Sequence, residues 1–380
     1  MAVSPIPFVD LAAQRRRLEG RIEAAVQRVV AGGAYIMGPE VAELERRMGE
    51  HSGVKHVVSC ANGTQALELV LRAWGIGPGD AVFVPAFTFA ATGEAPAWLG
   101  ATPVFCDVEE QTFNLDPASL EVAIGHAERQ GLRPRAVIPV DLFGVPADYQ
   151  AIHAIARRHG LLVLQDAAQS YGAMRDGRRA GGHALAGATS FYPAKPLGCY
   201  GDGGAMLTDD DELAAKLRSL RFHGMGGGGQ YDNVQVGTTG RLDTIQAAIL
   251  LEKLAILDEE QAARQRVADR YEQGLSNLAA TPRVPEGVAS AWAQYTLRIS
   301  DRDAVKAELA EAGIPTMVYY PKALADQAAF AGALTSPGGL EVSRRLTGEV
   351  LSLPIHPYLD EAAQDRVVDA VRTALLKRAG

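Results

Sequence analysis

Apolar residues recur along this chain at two spacings, one typical of helices and one typical of short buried strands. Between Leu11 and Val29 they fall on one helical face, and Gly32 and Gly33 end the run. Farther along, short runs rich in Val, Ile and Leu alternate with amphipathic stretches. The predicted strands cover residues 55–60, 81–84, 102–108, 136–141, 161–166, 188–192 and 204–208, and the predicted helices 64–74, 88–99, 147–159 and 211–222, with one more beginning at 117.

This alternation indicates an α/β fold. We expect a large domain built on a mostly parallel sheet of the seven-stranded type, with helices on both faces. Such sheets bind ligands beyond the carboxyl ends of their strands. The residues expected at that edge are 62–64, 85–89, 141–144 and 166–169.

The rest of the chain is expected to form a smaller α/β domain. A long helix is predicted from residue 242 to about 275, followed by a linker with Pro and Gly over 281–290. The large domain, with an N-terminal helical arm, is placed at residues 1–250, and the smaller C-terminal domain, joined through the long helix, at 251–380. The elements predicted after the linker are strands 292–299 and 316–319 and helices 303–312, 341–350 and 361–377.

Composition narrows the possible function classes. The chain has 380 residues, and 37 basic against 45 acidic side chains give a formal net charge of −8, which argues against general nucleic-acid binding. No apolar run approaches the roughly 18 residues of a membrane helix, and the N-terminus lacks a signal-peptide pattern. The separated cysteines Cys60, Cys106 and Cys199 fit neither a disulfide framework nor a zinc site. We expect a cytoplasmic protein without a metal.

Two stretches each place one titratable residue after a predicted strand. Lys195 stands between Pro193 and Pro196. A lysine in a confined place can have a lowered pKa and form a Schiff base, although most lysines are simply solvated on surface loops. Asp166 ends an apolar strand. There it could hold a cofactor's pyridine nitrogen protonated, or it could merely cap the next helix.

A third stretch, Asn62-Gly63-Thr64, lies between a predicted strand and a predicted helix. Glycine lets the backbone approach a ligand, and a helix N-terminus offers free N–H groups at the positive end of the helix dipole. The stretch could therefore bind a phosphate. An ordinary helix cap is the alternative interpretation.

Together these stretches resemble the DegT/DnrJ/EryC/StrS family of sugar aminotransferases, which are pyridoxal 5′-phosphate (PLP) enzymes with the aspartate-aminotransferase fold, fold type I. The resemblance covers residues 8–320 and is closest to the branch that acts on UDP-2-acetamido-2-deoxy-3-oxo-glucuronate. The blocks that carry it are Asn62-Gly-Thr-x-Ala-Leu, Gly77-Pro-Gly-Asp80, Pro85-Ala-Phe-Thr-Phe-x-Ala-Thr92, Asp166-Ala-Ala-Gln169, Ser190-Phe-Tyr-Pro-x-Lys195, Gly201-Asp-Gly-Gly204 and Arg241-Leu-Asp-x-x-Gln-Ala-Ala-Ile249.

The resemblance implies a role for each matching residue. Lys195 corresponds to the lysine that forms the internal aldimine with PLP and later carries a proton. Asp166 corresponds to the partner of the pyridine nitrogen. The remaining implied cofactor contacts are Gly63, Thr64 and Ser190 at the phosphate, Phe89 stacked on the ring, Gln169 near the phenolic oxygen, and Thr239.

Thr239 marks a departure from the family. In relatives, the loop before Arg241 enters the active site of the partner subunit, which implies a homodimer with shared sites. An Asn two residues before that arginine contacts the PLP phosphate there, and Thr239 has a shorter reach. Relatives that act on 3-keto uronic sugars often carry a His where this chain has Tyr319. The candidate substrate-binding residues are His223, Arg241, Tyr319, Tyr320 and Lys322.

The implied reaction is a transamination in two halves. L-Glutamate gives up its amino group, the amine is stored as pyridoxamine phosphate, and a keto group on a nucleotide-linked sugar receives it. A UDP-linked 3-keto sugar is the preferred acceptor, and a 4-keto-6-deoxy sugar on UDP, dTDP or GDP is the alternative. Lys195 disfavours a sugar dehydratase, in which a His takes that position. A non-catalytic regulatory or binding protein is a remote alternative.

One glycine run needs a separate interpretation. Residues 224–229 match Gly-x-Gly-x-x-Gly, but a helix is predicted before them, whereas a dinucleotide-binding fingerprint follows a strand. We therefore expect no dinucleotide site there. The run is expected to be a mobile loop near the substrate, bordered by His223 and Tyr231, or a plain surface loop.

Overall fold

The computed structural model describes residues 5–228 and 231–379. The helices in these residues are α1 Leu11–Arg17, α2 Arg21–Gly32, α3 Pro39–Ser52, α4 Gly63–Ala73, α5 Ala91–Trp98, α6 Pro117–Arg129, α7 Tyr149–His159, α8 Asp211–Leu220, α9 Thr244–Leu254, α10 Leu257–Leu275, α11 Arg302–Glu311, α12 Glu341–Glu349 and α13 Glu361–Ala379. The strands are β1 His56–Cys60, β2 Asp80–Pro85, β3 Thr102–Cys106, β4 Arg133–Val137, β5 Leu162–Asp166, β6 Met174–Arg175, β7 Arg178–Arg179, β8 Ala186–Ser190, β9 Gly204–Thr208, β10 Val288–Ala289, β11 Tyr295–Arg298, β12 Leu334–Thr335 and β13 Val350–Leu353.

The large sheet has eight strands in the order β1-β9-β8-β5-β4-β2-β3-β12. Strand β9 runs antiparallel to both of its neighbours, and every other neighbouring pair is parallel. The prediction of an α/β fold with a mostly parallel sheet is therefore confirmed. The sheet includes all seven predicted strands, and the two-residue β12 adds an eighth at the β3 edge.

Helices cover both faces of this sheet because its central strands are apolar on both sides. All six residues of β2 are buried. Alternate residues of β2 join two different apolar clusters, with Val82 facing the α4 side and Phe83 facing the α6 and α7 side. Asp80, the first residue of the strand, is buried as well and pairs with Arg133 at 2.9 Å. This packing aligns the carboxyl ends of the parallel strands along one edge.

The C-terminal part has an apolar core of its own, in which α10, α11 and α13 pack against the β11–β13 pair. Ile6 from the N-terminal segment joins this core. Several contacts link the C-terminal part to the large sheet; for example, β12 pairs with β3, and the Asp107 carboxylate accepts hydrogen bonds from the Val342 and Ser343 backbone at 3.0 and 2.8 Å. The domain boundary at residue 250 stays a prediction.

Several predicted elements are wrong in detail: the strand predicted over 136–141 is β4 at Arg133–Val137, and the predicted linker contains β10. The N-terminal helix is interrupted at Gly20, whose φ of 78° lies in the left-handed region. The helix predicted over 242–275 divides into α9 and α10, with Ala255 and Ile256 between them. The strand predicted over 316–319 is reduced to one bridge between Met317 and Ser352, because residues 318–320 pack against the cluster that contains Phe87, Phe113 and Phe143.

No helix among the described residues is both long and apolar enough to cross a membrane.

A buried ion pair anchors the strand that leads into α4. Arg221, which follows α8, donates to the carboxylate of Glu45 on α3 and to the backbone oxygen of Ser59 at 2.8 Å. The same Glu45 oxygen accepts from the Ser59 amide and hydroxyl groups at 2.9 and 2.7 Å. The pair therefore ties together two helices and the end of β1.

We expect Glu45→Gln to lower the free energy of unfolding by about 3 kcal/mol, because it leaves the buried Arg221 cation without an opposite charge. Denaturant unfolding of the purified variant measures this change. Glu43→Gln on the same helix is the matched control, since Glu43 pairs with Arg46 and Arg47 in exposed positions. Equal losses in the two variants would contradict a special role for the buried pair.

Candidate active site

The first turn of α4 forms an anion-binding cradle at the sheet edge. Asn62 caps the helix, and its side-chain oxygen accepts from the Gln65 amide at 2.8 Å. The N–H groups at the start of a helix have no partner within the helix and carry the positive end of its dipole. Gly63 and Thr64 are the first two residues of α4, and both are partly buried. This geometry suits a phosphate group.

Two glycines allow the walls of this cradle to approach closely. A Cβ atom on Gly63 would lie 2.6 Å from the Ser190 Cβ, and a Cβ on Gly204 would lie 2.5 Å from the Asn62 carbonyl carbon. Ser190 ends β8 and Gly204 begins the neighbouring β9. The Ser190 hydroxyl therefore stands beside the first turn of α4, where the sequence predicted a phosphate ligand.

Asp166 lies at the end of β5 with only 5% of its surface exposed. One carboxylate oxygen accepts from the Thr92 hydroxyl at 3.0 Å, and the other accepts from the Ala168 amide at 3.1 Å. Burial raises the pKa of Asp166, whereas these two hydrogen bonds and the Lys195 charge lower it. A buried carboxylate with these partners can serve as the counter-charge for a cationic ring nitrogen.

Lys195 projects from a tight turn after β8. Its backbone amide donates to the Tyr192 oxygen at 2.8 Å, and the turn closes where Gly198 packs directly on Pro193, since a Cβ on Gly198 would lie 2.4 Å from the Pro193 oxygen. Burial lowers the pKa of the Lys195 amine, and the Asp166 charge opposes that shift. A lysine with a lowered pKa is a better nucleophile at neutral pH than a solvated one.

Gln169 joins the sheet edge to the C-terminal part. Its side-chain oxygen accepts from the Phe143 amide at 2.8 Å, and its side-chain nitrogen donates to the Tyr320 hydroxyl at 3.2 Å. Phe89 has 57% of its surface exposed, with its ring 6.4 Å from that of Tyr320. An aromatic face is thus available for stacking close to Gln169.

The residues at this edge fit PLP. The cofactor needs an amine to bind its aldehyde, a carboxylate for its ring nitrogen, and donors for its phosphate. Lys195, Asp166 and the first turn of α4 are of these three types, and the charges of Lys195 and Asp166 influence each other's pKa. Adding a side chain at Gly63 would obstruct the cradle. The site is that of a PLP-dependent enzyme.

Comparison with known proteins agrees with this class. A family model for the DegT/DnrJ/EryC1/StrS aminotransferase family matches residues 16–372, and the chain belongs to that family. The UDP-2-acetamido-2-deoxy-3-oxo-D-glucuronate aminotransferase of Pseudomonas aeruginosa is 48% identical over 359 residues, which are 94% of this chain and 97% of that protein. The UDP-N-acetyl-3-dehydro-alpha-D-glucosamine 3-aminotransferase of Acidithiobacillus ferrooxidans is 40% identical over 97% of this chain and 98% of that protein.

Solved structures give the same result. A DegT/DnrJ/EryC1/StrS aminotransferase from Brucella abortus has a TM-score of 0.96 and 54% identity, covering 97% of this chain and 99% of that one. DesV of S. venezuelae, solved with a ketimine intermediate, has a TM-score of 0.93 and 40% identity, covering 98% of both chains. The chain is therefore a PLP-dependent sugar aminotransferase.

The substrate-binding residues expected from the sequence fall in two places. Thr239 and His223 are exposed and lie 2.7 Å apart between side-chain oxygen and imidazole nitrogen, and the Arg241 guanidinium stacks 4.7 Å from the Phe222 ring centre. His223 and Arg241 line a surface cavity of 840 Å³ together with Tyr231.

Residues 319–322 form the second place. The Tyr319 ring lies 5.8 Å from that of Tyr320, which contacts Gln169, and 6.3 Å from Phe8. Lys322 is exposed. This group therefore borders the cofactor site from the C-terminal part.

The glycine run is a turn in the described residues. The Gly226 amide donates to the Asp232 backbone oxygen at 2.7 Å, and the Gly228 amide donates to the Asp232 carboxylate at 3.1 Å. Gly229 lies outside the described residues. The segment thus borders the cavity that His223 and Tyr231 line.

Sequence reasoning missed two contacts at the cofactor edge. Thr92 donates to Asp166, and Phe143 orients Gln169 through its backbone amide. Thr92 ends the motif block that begins at Pro85, but no role for it follows from the motif alone. Phe143 lies in a segment predicted at the ligand-binding edge, but its positive φ of 59° has no local sequence signal.

We expect Gly63→Ala to weaken PLP binding by roughly tenfold, because the new methyl group forces Ser190 away from the first turn of α4. Titration of the cofactor-free protein with PLP, followed by absorbance, measures the dissociation constant. Gly348→Ala is the control, since a Cβ there meets no atom within 4 Å. Unchanged affinity in Gly63→Ala would remove Gly63 from the phosphate site.

Proposed function

We propose that this protein moves an amino group from L-glutamate to the keto group of a nucleotide-linked sugar, with a UDP-linked 3-keto sugar as the acceptor. The observation that carries the proposal is the convergence of Lys195, Asp166 and the α4 cradle at one sheet edge. Two of the relatives are named as aminotransferases of UDP-linked 3-oxo or 3-dehydro sugars, and one of them is 48% identical.

The residues at the edge divide the tasks of cofactor binding among them in this proposal. Bound PLP supplies an aldehyde that bonds to amines and a cationic ring that draws electrons from the attached carbon. Asp166 keeps the proton on the ring nitrogen, and Thr92 and Ala168 hold its carboxylate in place. The groups that bind and orient the cofactor are Gly63, Thr64 and Ser190 at the phosphate, Phe89 on the ring face, and Gln169 at the phenolic oxygen.

Lys195 performs both covalent attachment and proton transfer. Its Nζ binds the cofactor until an amino substrate displaces it. With PLP and an amino substrate bound, the free Nζ would be the group that accepts the proton from the substrate carbon and donates it to the carbon to which Nζ had been bonded. A lowered pKa suits this step, because the neutral amine is the form that accepts a proton.

Two groups of residues bind the substrate in this proposal. One lies around Tyr319 and Tyr320, and the other lines the surface cavity. Arg241 and Lys322 anchor carboxylate or diphosphate groups, since guanidinium matches carboxylate in bidentate geometry. Tyr319 and Tyr320 border the sugar from the C-terminal part, and His223, which lies beside Thr239, borders the sugar in the partner's site.

We also propose a homodimer in which the loop before Arg241 reaches the partner's site. Thr239 then acts as a hydroxyl donor to the partner's cofactor phosphate, with His223 at 2.7 Å to orient it. Exposed apolar side chains support a covered surface: Tyr231 is 91% exposed and Val236 is 75% exposed. Both residues line the cavity that contains Arg241.

Two other functions have some support. The GDP-perosamine synthase of Caulobacter vibrioides is 38% identical, so the names of the relatives also include a GDP-linked sugar, and a 4-keto-6-deoxy sugar on UDP, dTDP or GDP stays the second acceptor class. A protein of Geobacillus stearothermophilus named as a pleiotropic regulatory protein is 41% identical, which keeps a non-catalytic role as the remote alternative. The presence of both Lys195 and Asp166 favours catalysis.

L-Glutamate should convert the visible absorption band of the PLP-bound protein into an ultraviolet band, because the amine moves onto the cofactor. We expect Lys195→Ala to lack the starting band of the wild-type protein and to lose the glutamate half-reaction by at least about 10³-fold. Absorption spectra and single-turnover rates measure both effects, and the exposed Lys55→Ala is the control. A glutamate-insensitive wild-type band would mean that the donor is wrong.

Acceptor choice is tested on the glutamate-treated protein, from which free glutamate has been removed. We expect a UDP-linked 3-keto sugar to restore the visible band at least about tenfold faster than a dTDP-linked 4-keto-6-deoxy sugar, since a misplaced carbonyl carbon costs catalytic rate. The reverse order of rates would select the 4-keto class instead.

A further inference from the structure

Asp141 is a fully buried carboxylate that none of the assigned roles uses. It follows β4 at the ligand-binding edge of the sheet. One of its oxygens accepts from the Ala147 amide at 3.0 Å and the Tyr149 hydroxyl at 2.7 Å. The other accepts from the Gln165 side chain at 2.7 Å and the Ser170 hydroxyl at 2.6 Å. Every lone-pair direction of the carboxylate is therefore occupied by a donor.

Gln165 cannot change its orientation to suit another partner. Its side-chain oxygen accepts from the Gly181 and His183 amides at 2.9 and 3.1 Å. Backbone amides only donate, so the oxygen must face them and the NH₂ group must face Asp141. The Gln165 NH₂ group therefore requires a hydrogen-bond acceptor at residue 141.

The Asp141 contacts enclose the turn that carries the cofactor residues. Gln165 immediately precedes Asp166, and Ser170 immediately follows Gln169. The two backbones are also joined at this place, because the Asp141 amide donates to the backbone carbonyl oxygen of Asp166 at 3.0 Å. Two residues after Asp141, the Phe143 amide holds the Gln169 side chain at 2.8 Å. The 141–143 segment therefore contacts the 165–170 segment at both ends and in its middle.

We propose that Asp141 is a positioning residue, which sets the Asp166 carboxylate against the ring nitrogen of PLP by holding Gln165 and Ser170. This proposal rests on the proposed role of Asp166 in cofactor binding. Asp141 itself touches neither the cofactor nor the substrate in this scheme. Its effect is transmitted through the two residues that bracket the 166–169 turn.

The substitution Asp141→Asn tests this with little change in shape. An Asn presents one acceptor oxygen and one NH₂ group, so two of the four donors would face a donor. If the NH₂ group faces the Gln165 side, Gln165 has no acceptor. If it faces the other side, the Ala147 amide has none. The first orientation frees Gln165 directly, and the second frees residue 141 from the Ala147 amide that fixes it against Gln165 and Ser170.

The discriminating probe is 1-deazapyridoxal phosphate, in which C–H replaces the ring nitrogen. Wild-type protein should bind PLP more tightly than the deaza analogue, because only PLP engages Asp166. In Asp141→Asn we expect roughly a tenfold loss of PLP affinity and at most about a threefold loss for the analogue, so the ratio of the two affinities shrinks. Equilibrium absorbance titrations of cofactor-free protein measure both constants without any turnover.

Two further variants complete the experiment. Ser170→Ala removes one donor while retaining the charge, and should shift the ratio in the same direction by about threefold, which tests the proposal if Asp141→Asn does not fold. Asp107→Asn is the matched control. Asp107 is also buried and accepts from Val108, Val342 and Ser343, but it ties α12 to the sheet and should leave the ratio unchanged.

The outcomes are separable. A smaller ratio in Asp141→Asn or Ser170→Ala, with an unchanged ratio in Asp107→Asn, supports the positioning role. Equal losses for both ligands would show a purely structural role and overturn the proposal. The wild-type ratio and the glutamate spectrum test the proposed function separately. If glutamate does not change the absorption band of the wild-type protein, the donor assignment is contradicted. The ratios of PLP affinity to analogue affinity can still be interpreted in that case.

Discussion

Two opposite charges share a poorly solvated place at one sheet edge, and the cofactor site depends on them. Burial raises the pKa of Asp166 and lowers that of Lys195, whereas the attraction between them opposes both shifts. Burial disfavours each charged form and is tolerable only with hydrogen bonds and a counter-charge. Thr92 and Ala168 supply hydrogen bonds to Asp166. Much of the surrounding structure can be understood as the means of holding these two residues.

The fold provides this place through strand alignment. In a parallel sheet, the carboxyl ends of neighbouring strands meet at one edge, so residues far apart in sequence come together. Asp166 ends β5, Ser190 ends the adjacent β8, and the first turn of α4 lies against the end of β8 through Gly63 and against the start of β9 through Gly204. The antiparallel β9 brings Gly204 to the same edge. The result is a cofactor site built from backbone as much as from side chains.

Much of this arrangement could be predicted from the sequence, because apolar runs reveal buried strands and the site residues follow them directly. Asp166 and Gly63 are examples. The networks that hold them could not be predicted. Thr92 lies 74 residues before Asp166, and Asp141 contacts Ser170 across 29 residues, so no local periodicity links either pair. The strand expected near Met317 failed because tertiary contacts redirect that segment.

The most direct test is to reduce the PLP-loaded protein with borohydride and to map the modified peptide by mass spectrometry. Reduction converts the link between cofactor and lysine into a stable secondary amine. We expect the cofactor mass on Lys195, and we expect prior treatment with L-glutamate to remove the label. A label on another lysine, or an equal label after glutamate, would contradict these expectations.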